Sequence, residues 1–148
     1  ESLDVVLAHL DKYQLDALQL HSHESPAYCE ALKTKCPEVE IIKAFGIDEH
    51  FDFSTLVPYI GVVDYFLFDT QTPAHGGSGK VFDWSLLSAY TLDVPFFLSG
   101  GIGPESIDQL QHLKLEKLYA IDVNSKFEIE PGLKDIAKLK EFKHKLFC

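Results

Sequence analysis

The chain contains no arginine: its 13 basic residues are all lysine, set against 23 acidic ones for a formal charge of -10. That balance argues against nucleic acid and against an anionic membrane surface as partners, since both reward clustered cationic side chains. No apolar run approaches the roughly 20 residues a membrane span needs, and no signal peptide is visible, so the expected location is cytoplasmic. Cysteine is scarce. Cys29, Cys36 and Cys148 are odd in number and lack C-x-x-C spacing, which points to reduced structural thiols rather than a metal site or a disulfide framework. Linkers and low-complexity stretches are absent as well, and 148 residues with 46% hydrophobic content read as a single globular unit.

What is present begins with Leu67-Phe68-Asp69-Thr70, a hydrophobic strand ending in a carboxylate. It is followed by Gly76-Gly77-Ser78-Gly79-Lys80 and by Phe82-Asp83-Trp84. Barrel enzymes keep an acid and an anion-binding turn in such a place. A second glycine site follows, where Pro95-Phe96-Phe97-Leu98-Ser99 runs into Gly100-Gly101 and then Pro104-Glu105 at the opening of a helix. Backbone N–H groups unobstructed by Cβ, next to unpaired helix-start donors, suit a phosphate. Ala120-Ile121-Asp122-Val123-Asn124-Ser125 is a further strand ending in short hydrogen-bonding side chains. Two successive strand ends of this kind match the phosphate site of (β/α)8 barrels.

The periodicity predicts helices over Ser2 to Tyr13, from the Ser25-Pro26 start to about Lys35, over Ser54 to Tyr59, from the Asp83 cap through Leu87, over Pro104 to His112 and over Leu133 to Lys145. Strands are expected at Ala17 to Leu20, Glu40 to Phe45, Tyr65 to Asp69, Pro95 to Ser99 and Lys117 to Val123. Nearly continuous apolar strands alternating with helices imply a parallel sheet buried on both faces, an α/β fold. Gln19, His21, Lys43, Asp69, Ser99 and Asn124 all fall at or near carboxyl ends of strands. That is the catalytic face of a barrel, whereas an open doubly wound sheet would gather its site at one switch point.

Each candidate has a plainer reading. Asp69 is as readily a turn-forming Asp as an acid when judged from the strand end alone. Ser99, Gly100, Gly101, Asn124 and Ser125 are ordinary turn residues if either strand end is taken singly. Gly76 to Gly79 is a flexible loop or an active-site flap. Gln19 and His21 alternate about Leu20 and so point to one side, yet a strand-end histidine is more often structural than catalytic. His21-Ser22-His23 has no third metal ligand with clear spacing, so no metal site is expected.

Taken together, four motifs resemble the phosphoribosylanthranilate isomerase family. They are Gln19-Leu20-His21 with Glu24; Phe68-Asp69-Thr70 with the glycine loop and Phe82-Asp83-Trp84; Leu98-Ser99-Gly100-Gly101 with Pro104-Glu105; and Asp122-Val123-Asn124-Ser125 with Glu128, Pro131-Gly132 and Lys134-Asp135. The resemblance spans essentially the whole chain, in order. It implies a (β/α)8 TIM barrel of tryptophan biosynthesis that performs an Amadori rearrangement of phosphoribosylanthranilate, with no metal or organic cofactor. It further implies Asp69 as general acid, Gln19 and His21 facing the anthranilate ring, and Ser99, Gly100, Gly101, Asn124 and Ser125 holding phosphate under a flap of Gly76, Gly77, Ser78 and Gly79. The expected partner is a small phosphorylated substrate, and the expected state a monomer or homodimer.

The same resemblance implies a Lys-x-Cys-Gly strand carrying the general base and an arginine for the anthranilate carboxylate; these residues contain neither. Glu1 aligns just before the third barrel helix. Residues 1–148 are therefore expected to be the C-terminal portion of a single barrel domain, with about five β/α units and no turnover alone. Two other readings are an inactive fragment serving as a phosphate-binding or association module, and a different phosphate-binding barrel such as indoleglycerol phosphate synthase, which the Asp69 to Trp84 pattern fits less well. Locally the chain departs from the family at Ser22-His23, His75 and Asn124-Ser125-Lys126. Asn and Ser both still donate to phosphate.

Overall fold

The computed structural model describes residues 1–70, 83–113 and 115–147. Helix α1 (Leu3–Tyr13) leads into strand β1 (Ala17–Leu20), and α2 (Pro26–Lys35) into β2 (Glu40–Ile47). A 3-10 helix over Phe53–Tyr59 precedes β3 (Tyr65–Thr70), and another over Trp84–Ala89 precedes β4 (Phe96–Ser99). A 3-10 turn at Pro104–Ser106 continues into α3 (Ile107–His112), then β5 (Leu118–Ile121). The chain closes with a 3-10 turn (Ser125–Phe127), the hairpin β6 (Glu128–Glu130) and β7 (Leu133–Lys134), and α4 (Ile136–Phe147).

Local chemistry accounts for most of these boundaries. Ser25 Oγ accepts from the Tyr28 amide at 3.3 Å with Pro26 in the first turn of α2. Asp52 and Asp83 cap the two longer 3-10 helices by accepting from Ser54 N at 2.9 Å and Ser85 N at 3.0 Å. The α1 stripe of Val6 and Leu10 is buried, and Gln14 ends the helix in the left-handed region at φ 50°.

Strands β1 to β5 form one parallel sheet in the order β1-β2-β3-β4-β5, with no reversal of direction or order. Among the described residues there is thus no switch point of the doubly wound kind. Register partners share a face. On the helix side lie Leu20, Lys43, Phe66 and Phe96 in one row, and Phe45, Phe68 and Leu98 in the next. Phe66, Phe68 and Leu98 are fully buried in a core with Trp84, Leu87 and Tyr90. The opposite face presents Ile42 and Tyr65, then Ala44, Leu67 and Phe97, then Gly46, Asp69 and Ser99. Ile42, Tyr65, Leu67, Phe97 and Tyr119 lie outside that core cluster, and Tyr119 is 62% exposed. Among the described residues, no helix is long and apolar enough to cross a membrane.

The sequence expectations are corrected at four places. Strand β2 runs on to Ile47, because Phe45, Gly46 and Ile47 continue the pairing with Phe68, Asp69 and Thr70. The Asp83-capped helix is 3-10 in type, as is the segment before β3, and α3 is preceded by a separate 3-10 turn. The last helix begins at Ile136 rather than Leu133, since Gly132 at φ +84° turns the chain back into a hairpin. Asp135 is its actual start, accepting from Lys138 N at 3.0 Å. Finally, Lys43 lies within β2 on the helix side and is 2% exposed, its ammonium buried against the segment that leaves β1 instead of standing open at the rim.

Candidate active site

The carboxyl ends of β1 to β5 share one rim because the five strands run in the same direction. Asp69 stands in register between Gly46 and Ser99. Its half-buried side chain is thus beside the turn that leaves β4. Next to it, Thr70 is buried and bonds sideways. Its Oγ1 lies 2.9 Å from Ser99 O and 3.1 Å from Gly100 O, and accepts from the buried Trp84 Nε1 at 3.2 Å. Trp84, Thr70 and Gly100 therefore form a continuous strut from the layer above the sheet to the β4 turn.

The two glycines of that turn have different duties. Gly100 adopts φ +99°, and a Cβ there would fall 2.3 Å from Thr70 O, so no side chain fits. Gly101 adopts φ +63° with open space around its would-be Cβ, so its backbone is approachable from outside. Behind the turn, the buried Ser106 Oγ accepts from Gly103 N at 3.1 Å and closes the loop on itself.

Beyond β5, Ser99 Oγ donates to Asp122 Oδ2 at 3.2 Å, joining the ends of β4 and β5. Asn124 offers its Oδ1 to Lys134 Nζ, which also donates to Glu128 Oε1 at 2.5 Å. The Lys134 ammonium holds the Glu128 carboxyl below its ordinary pKa. With its oxygen so engaged, the Asn124 amide keeps its N–H donors for another partner. Ser125 opens the following 3-10 turn and is exposed. Lys126 forms an ion pair with Glu105 at 3.2 Å across the two loops. The Glu105 backbone N–H holds that carboxyl below its usual pKa; burial opposes this and Lys126 assists.

At the β1 end, Gln19 Nε2 lies 3.3 Å from His21 Nδ1, so the two side chains that alternate about Leu20 do meet. The backbone after them is braced by Glu24, whose Oε2 accepts from Ser22 N at 3.0 Å. Burial works to raise the Glu24 pKa, but the backbone N–H groups of Glu24 and Ser22 and the Lys43 ammonium outweigh it and hold the carboxyl low.

The fold thus brings Asp69, Ser99, Gly100, Gly101, Asn124 and Ser125 to the ends of three adjacent strands or just beyond. Gln19 and His21 sit two strands away on the same rim, with β2 between. The glycine loop Gly76, Gly77, Ser78 and Gly79 lies outside the described residues. Sequence reasoning did not single out Thr70, Asp122 or the Lys134 contact to Asn124. A hydroxyl side chain directly after the strand-end Asp69 was the available signal for the first. The repeated Asp at strand ends was the signal for the second.

A family model described as N-(5'-phosphoribosyl)anthranilate (PRA) isomerase matches residues 1–145. N-(5'-phosphoribosyl)anthranilate isomerase of Parabacteroides distasonis is 48% identical over 141 residues, covering 95% of this chain and 63% of that protein. The enzyme of the same name from Phocaeicola vulgatus is 42% identical, covering 99% of this chain and 70% of that protein. Among solved structures, one of monomers generated from the dimeric phosphoribosylanthranilate isomerase of Thermotoga maritima superposes with a TM-score of 0.73 at 27% identity, covering 99% of this chain and 67% of that one. The chain therefore spans about two thirds of the length of the proteins it matches.

Proposed function

The chain belongs to the N-(5'-phosphoribosyl)anthranilate isomerase family, and from that premise we propose that it takes part in the Amadori rearrangement of N-(5-phosphoribosyl)anthranilate to 1-(2-carboxyphenylamino)-1-deoxyribulose 5-phosphate. The five parallel strands are, in this reading, the C-terminal β/α units of one eight-stranded barrel domain, acting in the cytoplasm as a monomer or homodimer on this small phosphorylated substrate. The observation that carries the reading is the family match over residues 1–145.

In the proposed chemistry Asp69 protonates the ribose ring oxygen, the ring opens to an imine, and a base removes the C2 proton to give an enolamine, which tautomerises to the ketone. An acid working near neutral pH is served by a partly desolvated site, and Asp69 is half-buried. Gly100, Gly101, Ser99, Asn124 and Ser125 bind the phosphate, and Gln19 with His21 faces the anthranilate ring. The register of Asp69 with Ser99 supports this division, because it sets the acid one strand from the phosphate turn. The family's base is a cysteine in a Lys-x-Cys-Gly motif, which these 148 residues do not contain. We therefore expect no turnover from the 148-residue chain by itself. Relatives named as isomerases over nearly the whole chain disfavour a non-catalytic phosphate-binding module.

The test is the loss of substrate fluorescence followed in the active protein with Asp69→Asn. Turnover should fall by roughly 10²-fold or more. A kcat near the unmodified value would remove Asp69 from the acid's role.

A further inference from the structure

Among the described residues Lys43 is the only charged side chain in the buried set, at 2% exposure, and no part of the proposed chemistry uses it. An ammonium in such a place needs replacement for every water it has lost. Its Nζ donates to Ser22 O at 2.8 Å, Ala44 O at 3.1 Å and Leu20 O at 3.4 Å, and stands 3.3 Å from Glu24 Oε2. It also lies over the Phe45 ring, 4.9 Å from the centroid. Three of these four oxygen partners belong to residues 20–24, the stretch that leaves β1.

The arrangement of those three matters. Leu20 and Ser22 flank His21, so the carbonyl on each side of the histidine is tied to one cation. Glu24 repeats the constraint from its own side: it accepts from Ser22 N at 3.0 Å while Tyr59 Oη donates to the Glu24 carbonyl at 2.9 Å. The backbone of His21 is thereby fixed on both sides while its exposed ring extends to the Gln19 amide. The ring's Nδ1 stands 3.3 Å from Gln19 Nε2, so the orientation of the imidazole is set against that amide.

We propose that Lys43, acting with Glu24, is a positioning residue that sets the orientation of His21 beside Gln19 for substrate. The proposal rests on the reading above that these two residues contact the anthranilate moiety. A cation held merely as structural filling makes a different forecast: removing one partner of a buried pair lowers stability, but with no selective change at His21.

Lys43→Met supplies the contrast, and two measurements read it. The first is the set of imidazole ¹⁵N shifts in the 148-residue chain. Of the histidines, His21 alone should change its imidazole shifts in Lys43→Met, as its ring loses its fixed place beside Gln19. The second is a kinetic double-mutant cycle in the active protein. Lys43→Met should raise KM about tenfold and change kcat by no more than about twofold. In a His21→Ala background it should change KM no further. Unchanged His21 resonances, or effects of Lys43→Met and His21→Ala on KM that multiply independently, overturn the positioning role. A His21→Ala variant with unaltered KM instead withdraws the substrate contact itself, a failure that the imidazole spectra distinguish from the first. If Lys43→Met does not fold, Glu24→Gln keeps the shape of the site and is read by the same two measurements.

Discussion

Position 100 admits hydrogen and nothing larger. Both its positive φ and the 2.3 Å approach of a would-be Cβ to the Thr70 carbonyl oppose a side chain, and the obstructing atom is backbone that cannot swing aside. Gly100→Ala is expected to cost about 2–4 kcal/mol, seen as a lower urea midpoint with an unchanged slope. Gly101→Ala meets only the φ penalty, because the space around it is open, and should cost about 1 kcal/mol. The glycine pair was visible in the sequence, but the difference between its two members was not. That difference depends on Thr70, 30 residues away in the chain. The candidate site was likewise legible where short side chains ended strands, as at Asp69, Ser99 and Asn124. It was illegible where partners came from other elements, as with the Lys134 ammonium on Asn124. The burial of Lys43 was illegible for the same reason: a lysine near a strand end reads as open to solvent until the loop carbonyls that enclose it are known.

Among the elements, the 3-10 helix over Trp84–Ala89 has the most direct link to the rim. Through Trp84 Nε1, Thr70 Oγ1 and Gly100 O it braces the end of β3 against the turn after β4. Thr70→Val leaves the buried indole N–H without an acceptor and should cost about 1–3 kcal/mol. The chain's only tryptophan makes a convenient reporter, whose emission should shift to the red as the brace loosens. Helix and strand positions were largely readable because caps such as Ser25, Asp52 and Asp83 are local devices. The hairpin of β6 and β7 escaped notice since Leu133-Lys134 leads into a lysine-rich helical pattern, and only the turn at Gly132 separates the two.

At the scale of the molecule, the two faces of the sheet differ. One is packed into a core around Phe66, Phe68 and Trp84, while the other carries a cluster of Tyr65, Phe97 and Tyr119 with ring centroids 4.8 to 5.5 Å apart. In the barrel reading that second face is the lining of the cylinder. The 148-residue chain should accordingly bind a hydrophobic dye in its native state, and Tyr119→Lys should weaken the signal several-fold. An emission no greater than that of a fully packed protein of this size would count against a barrel-lining face. The strand order has a consequence in time as well. Each of β2 to β5 lies beside the strand that precedes it in the chain, so each of these segments, on leaving the ribosome, meets a docking edge already made.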